Sequence, residues 1–468
     1  MKTRRTFLTT SAAALAATAA RPLYGWQGAN NRVRMAVIGM GTRGARVFDS
    51  LTRHQDCQFT LGCEVNAQKQ ATFQAANRPL AKIDVVKDYR RVLDRNDIDA
   101  VLIATPDFSH SKVFVDALAA GKHVYVEKPI SNSIPRINAM LDAFNTHPNL
   151  VVQVGTHQRS WDHFIDAKKQ LEKLDAVTQI LIQQPGAYSQ QKQDPVPVPE
   201  YLDWEQWQVD APKKPFKQGY LGFRGWWEYG SGMIGDWGAH HVDVANWFMD
   251  ADRKAPLKTT ALGFYSSPTI DPECVFNTYS IAWQFDTHMM TFANSVYPRP
   301  NFEDPKAPDI EGWGVFFFAG NGTLQVNRMG WALRPPVAVT RNRVGPEPPP
   351  GAGNVQLGTT APAGPGGGGG RGRGGAGGPG GPGGGRGGGK PTVELNVMIN
   401  PRGAVEEDYP LHVHTRDFLD KLKAKNRATN APLEVGYNSA LPCLLALEAM
   451  QQNRVLGWDA AARKSKPL

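Results

Sequence analysis

Along the first third of the chain, apolar residues fall into short continuous runs separated by stretches of helical spacing. Residues 33–38 form one such run and lead into Gly39-Met40-Gly41-Thr42-Arg43-Gly44, after which Val47, Phe48 and Leu51 share a helical face. Residues 59–64 predict a second strand, and 100–105 a third that is apolar throughout, as when helices cover both faces of a sheet. Its helix carries Val113, Phe114, Ala117 and Leu118 and stops at Gly121. Residues 124–126 resume the sheet and end at Glu127-Lys128-Pro129. Repeated strand–helix units of this length predict a parallel, right-handed, doubly wound sheet over residues 31–152.

Beyond about residue 150 the rhythm changes. Residues 177–183, 278–283 and 290–292 alternate like half-buried strands, while 239–248, 411–422 and 441–450 have helical spacing. This predicts a second α/β domain over 153–468, with a mostly antiparallel sheet and helices on one face. Pro195-Val196-Pro197-Val198-Pro199 reads as a stiff extended connector. Residues 364–389 hold 19 glycines in 26 positions and cannot bury a core, so a disordered insert is expected across 345–391.

The length of 468 residues suits two domains, and 41% hydrophobic with 20% charged residues is ordinary globular composition. No apolar run reaches the roughly 18 residues needed to span a bilayer. Of the formal charge of +9, three units come from Lys2, Arg4 and Arg5 and three from Arg371, Arg373 and Arg386 in the glycine tract. The remainder is small, so the basic balance does not indicate a nucleic-acid partner. Arg4-Arg5-Thr6-Phe7-Leu8 precedes a small, weakly apolar run and Ala17-Thr18-Ala19, which predicts a twin-arginine export signal with its linker over residues 1–30 and a periplasmic destination. That route carries folded proteins, and little free dinucleotide exists outside the cytoplasm, so a cofactor captured before export is expected to stay bound. Cys57, Cys63, Cys274 and Cys443 have no CxxC spacing and are expected to be four free thiols.

The triplet Gly39, Gly41 and Gly44 follows a strand and opens a helix, the context a dinucleotide fingerprint requires. Gly39 permits the turn, Gly41 lets the backbone approach a pyrophosphate, and Gly44 allows close helix–strand packing. Met40, Thr42 and Arg43 complete the loop. Glu64 lies at the end of the second strand, where a carboxylate accepts hydrogen bonds from an adenosine ribose and repels a 2′-phosphate, favouring NAD over NADP. Thr105 and Pro106 end the next strand on the same edge and are placed along the nicotinamide path. His110 is assigned either to that ligand or to capping its own helix.

Lys128, between Glu127 and a proline, stands rigidly at a strand mouth, and a neighbouring cationic nicotinamide would lower its pKa into an acid–base range. Asp236 and His240 share a helical face if the helix starts as early as Asp236, so that the carboxylate holds the imidazole while the other ring nitrogen takes a substrate proton. His157, Arg224, Tyr229 and Trp237 are candidate substrate contacts. With His240, His241 and Asp243 but no further ligand at a diagnostic spacing, no metal site is expected.

The ordered set of Gly39 to Gly44, Thr105-Pro106-Asp107, Glu127-Lys128-Pro129, Gln153-Val154-Gly155-Thr156, Leu202-Asp203-Trp204 and Gly235-Asp236-Trp237-Gly238-Ala239-His240-His241-Val242-Asp243 resembles the Gfo/Idh/MocA oxidoreductase family, especially its exported, twin-arginine members. The resemblance runs from about Val33 to Trp458 and is interrupted by the glycine tract. It implies a Rossmann domain followed by an α/β domain with a large open sheet, and a dimer or tetramer formed through that sheet. It implies further that Lys128 is the characteristic lysine, Asp236 the orienting acid and His240 the acid–base residue. The leading expectation is an exported NAD-dependent oxidoreductase acting on CH–OH groups of a sugar or polyol. Two alternatives stay open: an NAD-dependent glycoside hydrolase or lyase working through a transient keto-sugar, and a non-enzymatic sugar- or nucleotide-binding module.

Overall fold

A computed structural model describes residues 32–76, 83–294, 312–336, 390–400 and 408–468. The expected export signal and the glycine-rich tract lie outside the described residues. The first layer set contains β1 (Val33–Ile38), α1 (Thr42–Thr52), β2 (Cys57–Cys63), α2 (Ala67–Ala75), β3 (Asp84–Val86), β4 (Ala100–Ile103), α3 (His110–Ala119), β5 (His123–Val126), α4 (Ile134–Thr146) and β6 (Val152–Val154). Its six strands are all parallel in the order β3-β2-β1-β4-β5-β6, so the sheet turns over between β1 and β4 and opens a crevice there. β4 is buried at every position, which explains its uninterrupted apolar sequence. The expected boundary after residue 152 cuts β6, whose three residues pair with β5.

The second domain contributes α5 (Asp162–Leu171), β7 (Gln179–Gln183), α6 (Gly232–Phe248), β8 (Lys258–Phe264), β9 (Thr278–Gln284), β10 (Met289–Ala293), β11 (Gly314–Ala319), β12 (Gly322–Asn327), β13 (Gly330–Arg334) and β14 (Asn396–Ile399). It closes with α7 (Asp408–Lys423), α8 (Leu433–Gln452), β15 (Leu456–Asp459) and β16 (Lys464–Pro467). The ten strands form one open sheet, antiparallel except where β7 runs beside β10. Trp283, Phe292 and Phe317 point from the sheet into the core shared with Val242 and Ala245 of α6 and Leu445 of α8.

One element crosses between the layers. Leu411, Phe418, Leu419 and Leu422 of α7 pack with Val33, Val47, Phe48 and Leu51 of the first domain. Arg416 pairs with Asp56 at 2.7 Å on the same seam. All four cysteines are buried free thiols. Among the described residues no helix is long and apolar enough to cross a membrane.

Candidate active site

The glycine turn is shaped by three different needs. Gly39 has φ +92°, and a Cβ there would lie 2.6 Å from the backbone of Ala104. A Cβ on Gly44 would meet the Gly39 carbonyl oxygen at 2.0 Å, so only glycine lets α1 seat against β1. Gly41 faces open space with nothing within 4 Å, and as N-cap it offers no side-chain partner to the first-turn amides of α1. Those amides are the donors a pyrophosphate takes at a helix start.

Glu64 follows β2 and lies against the same loop. Its carboxylate accepts from the Met40 amide at 2.8 Å and the Asn66 amide at 2.9 Å, and burial raises its pKa against the pull of those two donors. Each oxygen retains a lone pair for a ribose hydroxyl. Met40 is different from expectation: its amide is spent on Glu64 and its side chain is buried under the sheet, so it supports the turn and does not line the cleft. Arg43 reaches across to Glu127 at 2.9 Å. Gly155 makes room for that carboxylate, since a Cβ there would stand 2.6 Å from Glu127 Oε1.

A single cleft of about 550 Å³ joins these groups to the chemistry-bearing ones. Gly39, Gly41, Thr42, Arg43, Glu64, Thr105, Pro106, His110, Glu127 and Lys128 line it together with His157, Arg224, Asp236, Trp237 and His240. The Lys128–Pro129 peptide is cis. From that turn Lys128 extends to Asp236, with Nζ 2.6 Å from Oδ1 and 3.0 Å from the Asp236 carbonyl oxygen.

The partner expected for Asp236 is not the one it has. α6 begins at Gly232, early enough to put Asp236 and His240 one turn apart, yet the carboxylate's partners come from other segments. It receives Lys128, the Tyr188 hydroxyl at 2.6 Å and Arg224 Nε at 3.2 Å. Burial opposes its charge, but the Lys128 and Arg224 cations outweigh burial and hold it well below the usual carboxylate range. His240 is instead met at Nε2 by Arg328 Nη2 at 3.3 Å, with the guanidinium 4.7 Å above the Trp237 ring. Burial, then Lys128 and Arg328, hold the His240 imidazole well below its ordinary value, so it is neutral at neutral pH.

Tyr229 is displaced from the cleft, whereas His110 and His157 keep places on its wall. Tyr229 does not line the cleft: fully buried, it packs between Phe108, Trp207 and Tyr220, because an aromatic ring gains more from that cluster than from a wet surface. His110 touches the cleft wall, but its ring is turned to the Pro129 and Thr105 carbonyl oxygens at 2.9 and 2.8 Å. Burial lowers its pKa to about 4, so the ring is neutral and donates to one of the two carbonyl oxygens. His157 lines the cleft with its Nδ1 occupied by the Trp161 indole at 3.0 Å. Tyr188 and Arg328 escaped sequence reasoning, since neither lies in a recognisable motif. Asp107 was visible but unassigned: it is buried on the cleft wall, its Oδ2 has no hydrogen-bond partner, and burial raises its pKa to about 7.

Comparison with known proteins agrees with this geometry. Residues 33–156 match the oxidoreductase family model described as an NAD-binding Rossmann fold, and residues 186–288 match the family's C-terminal alpha/beta domain. The chain carries both domains of the Gfo/Idh/MocA oxidoreductases. A glycosyl hydrolase family 109 protein of Shewanella sp. (strain ANA-3) is 30% identical over 118 residues, covering 24% of this chain and 26% of its own. The levoglucosan dehydrogenase of Pseudarthrobacter phenanthrenivorans is 30% identical over 167 residues, covering 35% of this chain and 36% of its own. The matched stretches thus span about a quarter to two-fifths of the curated relatives' own length. A solved levoglucosan dehydrogenase in complex with NADH and L-sorbose shares the fold, with a TM-score of 0.55 at 15% identity over 93% of this chain and 98% of its own. The first domain is therefore an NAD-binding Rossmann domain, and the open space at Gly41 beside the Glu64 carboxylate fits that cofactor.

Proposed function

We propose that the protein is a dehydrogenase of sugar or polyol hydroxyl groups that works with tightly held NAD after twin-arginine export to the periplasm, as a homodimer or homotetramer. The observation that carries this reading is the shared cleft: Lys128 and His240 line the same space as Gly41 and Glu64. Bound NAD supplies the hydride acceptor. The chain's own groups manage the proton and the charge. His240, neutral and with its lone pair on Nε2 facing Arg328, takes the hydroxyl proton at Nε2 once substrate displaces the guanidinium, and the Lys128 ammonium, fixed by Asp236, donates a hydrogen bond to the same oxygen as it gains negative charge. Asp236 acts on Lys128 and Arg224, and Arg328 sets the His240 ring. Trp237 lines the cleft beside the imidazole, its ring centroid 5.7 Å away, and carries the Arg328 guanidinium on one face.

The test is a panel of sugars, polyols and glycosides incubated with the purified protein, following nicotinamide absorbance and product masses together. Oxidised sugar with stoichiometric NADH is expected, lost in Lys128→Met and His240→Gln while NADH binding persists. Glycoside cleavage without net NADH refutes simple dehydrogenation in favour of the transient keto-sugar route. Nucleotide binding with no turnover across the panel leaves a binding module.

A further inference from the structure

The second domain sends one segment back over the nucleotide half of the cleft. We propose that residues 201–210 are a strap that contacts the bound dinucleotide and slows its release, with Trp207 and Val209 as the contacting side chains. The proposal rests on the reading of this cleft as the NAD site.

The segment is anchored at both ends of the cleft. Near Glu64, the Ala67 amide donates to the Tyr201 carbonyl oxygen at 2.8 Å and the Asp203 amide to that of Val65 at 2.9 Å. This is the end of β2, where the adenosine ribose is held in such folds. At the other end, Arg136 Nη1 donates to Asp210 Oδ1 at 2.8 Å and to the Phe108 carbonyl oxygen at 2.7 Å. Phe108 follows Thr105-Pro106, on the nicotinamide side of the switch between β1 and β4. Between these anchors, Gln206, Trp207 and Val209 line the cleft that also contains Gly41 and Lys128.

The strap is stiff where it meets the cleft. Trp207 stacks on Trp204 with centroids 4.6 Å apart and planes at 23°, and it touches Phe108 at 5.3 Å. Trp204 is pinned by its indole nitrogen to the Lys214 carbonyl oxygen at 2.7 Å. Val209 has φ +46°, and among the described non-glycine residues of positive φ it is the β-branched one. A branched side chain resists that conformation, and such residues persist where the surroundings over-determine them, often at ligand clamps. The approach through Pro195-Val196-Pro197-Val198-Pro199 has restricted backbone freedom, so the strap has little slack with which to swing clear.

The experiment follows NADH release. The full chain is loaded with NADH and chased with excess NAD, and the fall of bound-NADH emission gives the dissociation rate. Trp207→Ala is expected to release NADH about tenfold faster, the equivalent of losing one well-packed aromatic contact. Val209→Gly relieves the backbone strain, so its thermal midpoint is expected to hold or rise while release still accelerates. That variant decides the matter if Trp207→Ala fails to fold. Release as slow as in the parent protein for a folded variant overturns the strap. A parent protein that binds no NADH overturns the cofactor reading, and the strap with it.

Discussion

Lowering the pH from 7.5 to 5 should unfold this protein far more readily than an average domain, because its histidines are buried as neutral rings. His414 illustrates the geometry: it is fully buried, with Nε2 facing the Val154 carbonyl oxygen at 2.9 Å and Nδ1 the Ser160 hydroxyl at 2.8 Å. Burial holds its pKa down to about 4, and burial does the same for His123 and His163. His123 Nδ1 accepts the Val151 amide at 2.9 Å, which a protonated ring could not do. The folded pKa lies below the unfolded value of about 6.5, so the unfolded chain binds the proton first. The stabilisation is therefore complete above pH 6.5 and is lost as the pH falls towards 4. At pH 5 each such ring forfeits about 2 kcal/mol, and the three together about 6 kcal/mol, comparable with the whole stability of many domains. Urea midpoints measured at both pH values, with tryptophan emission as the probe, should fall accordingly, and His414→Gln should flatten the dependence by about one ring's share. Equal midpoints at pH 7.5 and 5, or folded-state histidine titrations near 6.5, would refute the argument.

Other outcomes follow from single contacts. Asp236→Asn leaves the Lys128 and Arg224 cations facing one another, so a stability loss of roughly 3 kcal/mol and a fall in turnover of about 100-fold are expected, read by denaturant titration and initial rates. Gly155→Ala pushes a methyl group into the Glu127 carboxylate and should disturb its pairing with Arg43, at a cost of about 1–3 kcal/mol, with weaker NADH binding by fluorescence titration. Tyr229→Phe should leave substrate kinetics unchanged and raise stability by up to about 1 kcal/mol, because the buried hydroxyl has no hydrogen-bond partner to lose. Replacing Arg4 and Arg5 by lysine should keep the chain in the cytoplasm, checked by fractionation and immunoblotting.

The nucleotide half was legible because its signals are local. An apolar strand, three glycines and a carboxylate at the next strand end occupy about thirty consecutive residues, and each has one backbone task. The large sheet was read only in part: residues 278–284 alternate cleanly, whereas 314–319 carry three consecutive phenylalanines whose register is set by neighbours on both sides. The partner of Asp236 was not legible at all. Helical spacing offered His240, but the choice was made by charge across space, through Lys128, Tyr188 and Arg224 from three other segments. Tyr229 was misplaced for a related reason, since composition cannot say whether an aromatic cluster faces a ligand or itself.

The placement of α7 bears on how the protein is made. Its apolar face completes the outer wall of the first domain, yet it is encoded after the glycine-rich tract, close to the end of the chain. A ribosome that has delivered all six parallel strands has not yet delivered the helix that covers Val47 and Phe48. The nucleotide-binding half therefore matures late, and gene fragments that stop at the apparent end of that half leave an oily scar where the missing helix belongs.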